Sequence, residues 1–374
     1  MHGLRAAVVI GLAAGLTTSV CEGLAISGSA VAYGAVIAAL IVRPDFTLWP
    51  TLIYPVLLLL VGLCMGIGVA IGQATAGMPQ VLVFGFVAAL MQLLALLLPA
   101  RLRLLSGVMA VVGVLPLLSA APSWRDWGEQ MLALGLGMAI GTLLQCLFSP
   151  AAAAAQQAGP ERGQPGRTVE KATDAVEPPV AVRLRQGLRS PFFWRKLVFA
   201  SLALAIGQGI GAVTPKYLYF GVVLLLNDSI GATLLRVRDR MVGVSLGVLM
   251  PMLVFNCLGM GELSTGLVMA GTAALVTALR CEEHLRTALI SSGVAFIGYG
   301  PLVAWYIPNR WLDYLMGCGL ALAVGLLLFP SSALRRYNER LEDPEASAAE
   351  LGALLPAARE EARWLGLTAP DQPR

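Results

Sequence analysis

Long apolar runs that lack Asp, Glu, Lys and Arg alternate with short charged segments along most of the chain. A helix needs about 20 mostly apolar residues to cross the ~30 Å hydrocarbon core of a bilayer. The runs therefore predict an all-α integral membrane protein with twelve transmembrane helices in two groups of six. The first group comprises residues 6–21, 26–42, 52–72, 81–98, 104–121 and 131–148. The second group comprises residues 197–213, 217–227, 241–258, 263–279, 287–307 and 314–330.

Basic residues between the runs predict which side of the membrane each connection occupies, because cytoplasmic loops carry an excess of Lys and Arg. One set of alternate connections contains Arg43, Arg101, Arg103, Arg236, Arg238, Arg240, Arg280 and Arg286. The other set contains Arg125, Lys216 and Arg310. Eight basic residues against three predict that the first set, and with it both termini, is cytoplasmic. A cleaved signal peptide after Arg5 is an alternative, but its removal would leave an odd number of spans.

The two groups of runs resemble each other at low identity. Trp127 and Trp311 each open the last run of a group, and Gly135 and Gly319 follow them at the same distance. Six spans per group make both groups enter the membrane in the same direction, so the repeat is predicted to be parallel. The alternative is chance similarity between two segments rich in Gly, Ala and Leu. The predicted domains are a first half at 1–150, a flexible cytoplasmic linker at 151–192, a second half at 193–330 and a partly helical cytoplasmic tail at 331–374.

Composition supports the membrane interpretation. The chain has 57% hydrophobic and 13% charged residues, a mean hydropathy of +0.76 and a net charge of +4, whereas soluble domains have about 25% charged residues. These values exclude a cytosolic enzyme and give no indication of nucleic-acid binding. The six Cys include no C-x-x-C pair, and there is no Walker A sequence. We therefore predict no enzymatic activity, no cofactor and no metal site.

Polar residues in or beside the spans are the candidates for function, because burying them in lipid is costly. Arg236, Arg238 and Arg240 either anchor the cytoplasmic side, with Asp239 as a local partner, or form a vestibule that attracts anions. Gln208 and Asn256 either line a substrate path or hydrogen-bond neighbouring helices.

Two carboxylates are candidates for proton coupling. Asp228 reaches the middle of the membrane if the short run at 217–227 continues as one helix to Leu235, where its pKa would be raised; otherwise it is an interfacial turn residue. Glu22, at the outer end of the first run, either exchanges protons with the periplasm or is a solvated loop residue.

Glycines four residues apart predict close helix packing. The pairs are Gly62 with Gly66 and Gly243 with Gly247. The helices that meet at these glycines either slide past each other during transport or pack statically.

The segment from Asn227 to Gly247 resembles the fusaric acid resistance and aromatic acid exporter family. The resemblance lies in the Gly-Ala-Thr-Leu run at 231–234, in Arg240, and in Gly243 and Gly247; Pro44–Thr47 followed by Gly62 and Gly66 is a weaker copy. The resemblance implies efflux of aromatic carboxylates or similar organic anions, often with a periplasmic adaptor protein. Family members carry a large cytoplasmic domain where this chain has about forty linker residues.

These patterns together predict a multi-pass transporter of the bacterial inner membrane that exports small organic or aromatic anions, coupled to protons. Its partners would be the anion, the lipid bilayer and a periplasmic adaptor, with a homodimer as an open alternative. The other interpretations are a major-facilitator-like transporter, although residues 43–46 lack that family's loop motif, and an anion channel or structural membrane protein.

Overall fold

The computed structural model describes residues 2–43, 53–98, 106–118, 122–148, 179–211, 215–225, 229–297, 303–324, 332–343 and 348–370. Over these residues the chain is helical and contains no strand. The helices before the predicted linker are α1 (His2–Gly23), α2 (Gly28–Ile41), α3 (Ile53–Ala74), α4 (Gln80–Leu97), α5 (Ser106–Val114, followed by a 3-10 turn) and α6 (Trp124–Phe148). Those after it are α7 (Val180–Arg189), α8 (Pro191–Gly209), α9 (Lys216–Leu225), α10 (Ile230–Leu258), α11 (Glu262–Ala278), α12 (Leu285–Ile297), α13 (Val303–Ala323), α14 (Ala333–Leu341) and α15 (Ala348–Trp364).

A helix coincides with each of the twelve predicted runs, namely α1–α6 and α8–α13. Five of them, α1, α3, α4, α6 and α10, are long and apolar enough to cross a membrane, and α2, α5, α8, α11 and α13 contain shorter apolar segments. The class of helical membrane protein is therefore supported. The number of spans stays a prediction.

Two sequence expectations change at helix ends. The run at 217–227 does not continue to Leu235 as one helix, because Ser229 is not helical and a new helix starts at Ile230. The Ser229 hydroxyl accepts a hydrogen bond from the Ala232 amide at 3.3 Å, which is the geometry of a helix N-cap. The linker is also not flexible throughout, since α7 occupies its last part and the Trp194 indole donates to the carbonyl of Leu188 at 2.8 Å.

The chain forms two compact units, and each combines segments from both predicted halves. Unit 1 comprises Met1–Ala76, Val112–Pro160 and Arg240–Leu312. Unit 2 comprises Gly77–Val111, Glu161–Asp239 and Asp313–Arg374. The division into compact units therefore differs from the division into two predicted halves. The domain boundaries of the predicted halves stay a prediction.

The core of unit 1 is built from α1, α2, α6, α11 and α12, and its residues are mostly small. Small side chains let helix backbones approach closely, which is the main source of packing energy in lipid. A methyl group added at Gly34 of α2 would lie 2.7 Å from the carbonyl oxygen of Ala133 in α6. Because Gly141 of α6 likewise meets Ala38 of α2, these two helices run parallel. Buried alanines of this core are Ala6, Ala7, Ala13, Ala14, Ala35, Ala38, Ala39, Ala273 and Ala288.

In unit 2, α4, α8 and α9 pack together and the tail helices α14 and α15 form a hairpin. The fully buried Tyr219 of α9 contacts the ring of Phe84 edge to face at 5.2 Å and donates to the carbonyl of Ala110 at 3.4 Å. Within the partly helical tail, α15 buries Leu351, Leu355, Ala358 and Ala362, whose spacing places them on one face of a helix.

Candidate functional site

The arginines predicted to gather anions lie on the first turns of α10, and two of them have partners within unit 2. The Arg236 guanidinium donates to the carbonyl of Leu224 at 3.4 Å, next to the end of α9. Arg238 donates to Glu360 of α15 at 2.6 Å and to its neighbour Asp239 at 3.5 Å. Arg240 belongs to unit 1 and is half-buried. The local partner expected for the segment, Asp239, is thus secondary to a carboxylate from the distant tail.

Glu360 and Glu361 are not among the functional residues that the sequence predicts, and they place the tail on α10. Glu361 accepts hydrogen bonds from the backbone amides of Ala333 at 2.6 Å and Leu334 at 3.3 Å, so it caps the start of α14. The backbone of α10 touches α15 at Gly231, where an added methyl group would collide with the carbonyl of Ala357. The only signal in the sequence was the apolar stripe of α15, because a long-range ion pair leaves no local pattern.

A cavity of about 550 Å³ lies between the start of α10 and α15, and we call it the tail pocket. Its lining residues are Leu235, Arg238, Gly352, Leu355, Pro356, Arg359 and Glu360. It therefore combines two guanidinium groups and one carboxylate with an apolar wall. A larger groove of about 740 Å³ along α3 and α6 has two Trp but no charged lining residue, so it provides no partner for an anion.

The remaining candidates for the substrate path lie at helix ends. Gln208, at the end of α8, donates to the side chain of Gln80, at the start of α4, at 3.2 Å. Asn256 is exposed and donates to Met252 of its own helix at 2.9 Å. Gln208 therefore links two helices of unit 2, whereas the amide of Asn256 is used within α10.

Of the two proton-coupling candidates, Asp228 lies outside the described residues. Glu22, at the end of α1, lies beside Glu262, at the start of α11, and both residues are exposed. Glu262 lies just before the predicted run at 263–279, and the sequence could not place it beside Glu22 because that depends on how α1 and α11 pack.

Helices α1 and α11 of unit 1 pack in the same way as α8 and α4 of unit 2. A methyl group at Gly11 would lie 2.6 Å from the carbonyl oxygen of Gly266, and one at Gly85 would collide with the Ser201 hydroxyl. Gly11 follows Arg5, and Ser201 follows Arg195, by the same number of residues. Gly11 and Ser201 thus lie at corresponding positions in the first helices of the two predicted halves.

The four packing glycines lie at helix contacts in unit 1. The Trp127 indole donates to the carbonyl of Gly62 at 3.0 Å, and a methyl group at Gly66 would touch the same ring at 3.6 Å. Added methyl groups at Gly243 and Gly247 would lie within 2.6 Å of α12 atoms. These two glycines leave no room for larger side chains, whereas Gly66 faces the edge of the open groove.

Trp311 repeats the role of Trp127. Its indole donates to the Ser245 hydroxyl of α10 at 3.0 Å, as the Trp127 indole donates to the Gly62 carbonyl of α3. In both cases the Trp that opens the sixth run contacts the Gly-rich helix of the third run of the same half.

Among the described residues, no group of three or more His, Cys, Asp or Glu side chains could hold a metal ion. Comparisons with protein-family models, curated proteins and solved structures find no match for this chain. The resemblance drawn from the segment around α10 therefore stays a prediction.

Proposed function

We propose that the chain is a bacterial inner-membrane transporter that exports small organic or aromatic anions and is coupled to the proton gradient. The observation that carries the proposal is the reciprocal packing of the predicted halves. The first helix of the first half, α1, packs on the fourth helix of the second half, α11. The first helix of the second half, α8, packs on the fourth helix of the first, α4. Parallel repeats of this kind are a common design of secondary transporters.

The relative directions of the packed helices are consistent with twelve spans whose two termini lie on the same side. In that topology, helices whose span numbers are both even or both odd run parallel, and the others run antiparallel. The second and sixth helices, α2 and α6, run parallel, as do the ninth and eleventh, α10 and α12, since Gly243 meets Thr287 and Gly247 meets Ala288. The antiparallel pairs α1–α11 and α8–α4 join an odd to an even span. This agreement supports the predicted topology.

The anionic character of the substrate is inferred from Arg236, Arg238 and Arg240. On the cytoplasmic side they would raise the local concentration of anions. A Gln replacement of all three is expected to lower export of 1-naphthoate about tenfold, a loss of about 1.4 kcal/mol. R125Q is the matched control, because Arg125 is exposed and pairs with Glu129 in a connection predicted to be periplasmic.

The experiment uses purified protein in proteoliposomes, with naphthoate flux measured with and without an imposed pH gradient. Gradient-driven flux in the wild type and its loss in the triple variant, with normal insertion, support the proposal. Naphthoate current without any proton requirement would indicate a channel. No flux in the wild type would leave a structural role and overturn the transport proposal.

Proton coupling is assigned to Glu22 and Glu262. A carboxyl group that gains or loses a proton changes the charge at the contact between the two helices that carry it. Asp228 stays a candidate on sequence grounds alone. A periplasmic adaptor and a homodimer also stay proposals, and each is tested by co-purification from membranes.

A further inference from the structure

We propose that the tail pocket binds a small organic anion with an apolar body, and that Glu360 is the carboxylate that this anion displaces from Arg238. The inference rests on the proposed function, since it identifies a regulatory anion site for the same substrate class. It assigns a role to the tail, which the transport proposal does not use.

The dimensions and lining of the tail pocket fit such a ligand. Ligand sites usually have volumes of about 300–1,000 Å³, mostly apolar walls and a few convergent polar groups, and this cavity measures about 550 Å³. Leu235, Leu355 and Pro356 provide the apolar wall, and Arg238 and Arg359 provide the cationic groups. An aromatic or branched carboxylic acid matches both parts.

Glu360 already occupies the position that a ligand carboxylate would take. Its carboxylate contacts the Arg238 guanidinium at 2.6 Å, and its side chain is 10% exposed, against 45% for Arg238. Arginine presents a rigid fork of donors that fits carboxylates, so a ligand and Glu360 compete for the same group. The internal carboxylate therefore sets the ligand concentration at which the pocket fills.

The pocket does not depend on the Arg238–Glu360 pair for its shape. Glu361 fixes the hairpin through the backbone amides of Ala333 and Leu334. Close backbone contact at Gly231 holds α15 against α10 independently. Arg359 is oriented by its own hydrogen bond, from its Nε to the carbonyl of Pro370 at 3.0 Å. Exchange of Glu360 for a ligand carboxylate thus leaves the wall of the pocket in place.

The test is calorimetric titration of 1-naphthoate into the purified full-length protein, with neutral 1-naphthamide as the comparison ligand. E360Q removes the competitor and is expected to lower the Kd about tenfold, whereas R238Q is expected to raise it by at least about tenfold. Naphthamide should bind much more weakly than naphthoate. The matched controls are E339Q and R335Q, which break the exposed pair Arg335–Glu339 of the same hairpin, 2.7 Å long, and should leave the Kd unchanged.

Equal affinity of E360Q and wild type, no loss in R238Q, or the same changes in the control variants would overturn the proposal. An anionic lipid headgroup carries the same charge, so the titration is repeated in nanodiscs of phosphatidylcholine and of phosphatidylglycerol. Equal Kd values are expected, and a strong increase with phosphatidylglycerol would reassign the pocket to lipid. Because binding is measured without transport, failure of the transport assay leaves this result standing, and absence of binding leaves transport intact.

Discussion

In unit 1 the helix α1 packs against α11, and in unit 2 the helix α8 packs against α4 in the same antiparallel arrangement. The two pairs differ in the chemistry at one end. The carboxyl groups of Glu22 and Glu262 lie side by side in unit 1, whereas Gln208 donates a hydrogen bond to Gln80 in unit 2. Carboxyl groups can gain and lose a proton, whereas amide groups do not at any physiological pH. The two helix pairs thus pack alike, but the pair in unit 1 carries titratable carboxyl groups at this end and the pair in unit 2 carries amides.

The largest expected effect is on the α1–α11 contact at Gly11, where the facing atoms are fixed. G11A places a methyl group 2.6 Å from a backbone oxygen and 2.7 Å from the Cβ of Ala270, neither of which can rotate away. Overpacking of this kind costs about 3 kcal/mol, measured as the free energy of unfolding in mixed micelles. In unit 2, G85A collides with the hydroxyl of Ser201 and lies 3.2 Å from its Cβ; the hydroxyl can turn aside, so the cost should be about 1 kcal/mol.

The double variant G85A/S201A removes that hydroxyl and is expected to restore wild-type stability. Equal costs for G11A and G85A would show that the two helix contacts are not as different as their atoms indicate.

The sequence could predict the helices but not the contacts between them. The apolar runs predict the helices, because a segment that must satisfy its backbone in lipid can only be helical. Gly243 and Gly247 predict close packing but not the partner, since small residues suit any neighbouring helix. The pairing of α1 with α11, and of Glu360 with Arg238, joins residues far apart in the chain, so neither leaves a local signal.

The second effect concerns the carboxyl and amide pairs. E22Q, or E262Q, gives unit 1 a side chain that cannot exchange a proton, and is expected to lower pH-gradient-driven naphthoate flux about tenfold, within the usual range of coupling free energies. Q208A should change it less than about twofold, because Gln208 does not titrate. Flux driven by the naphthoate gradient alone serves as the control. Unchanged coupling in E22Q and E262Q would remove this pair from the mechanism.

The smallest effect compares the two Trp contacts. W127F and W311F each remove one indole donor and should each cost about 1 kcal/mol of unfolding free energy, the usual worth of one hydrogen bond. For Trp311 the partner is a side chain, so a double-mutant cycle with S245A is expected to give a coupling of about 1 kcal/mol. Additive effects of W311F and S245A would show that this hydrogen bond contributes nothing to stability.

The proposed function depends on two like-oriented sets of six spans, and cysteine labelling tests this arrangement most directly. In a chain without its native Cys, M78C and M260C lie in the connections after α3 and after α10, and L367C lies in the tail; all three positions are exposed. A membrane-impermeant maleimide applied to intact spheroplasts is expected to label M78C and M260C, and to label L367C only after the membrane is permeabilised. Labelling of L367C from outside, or opposite results for M78C and M260C, would contradict the duplicated topology.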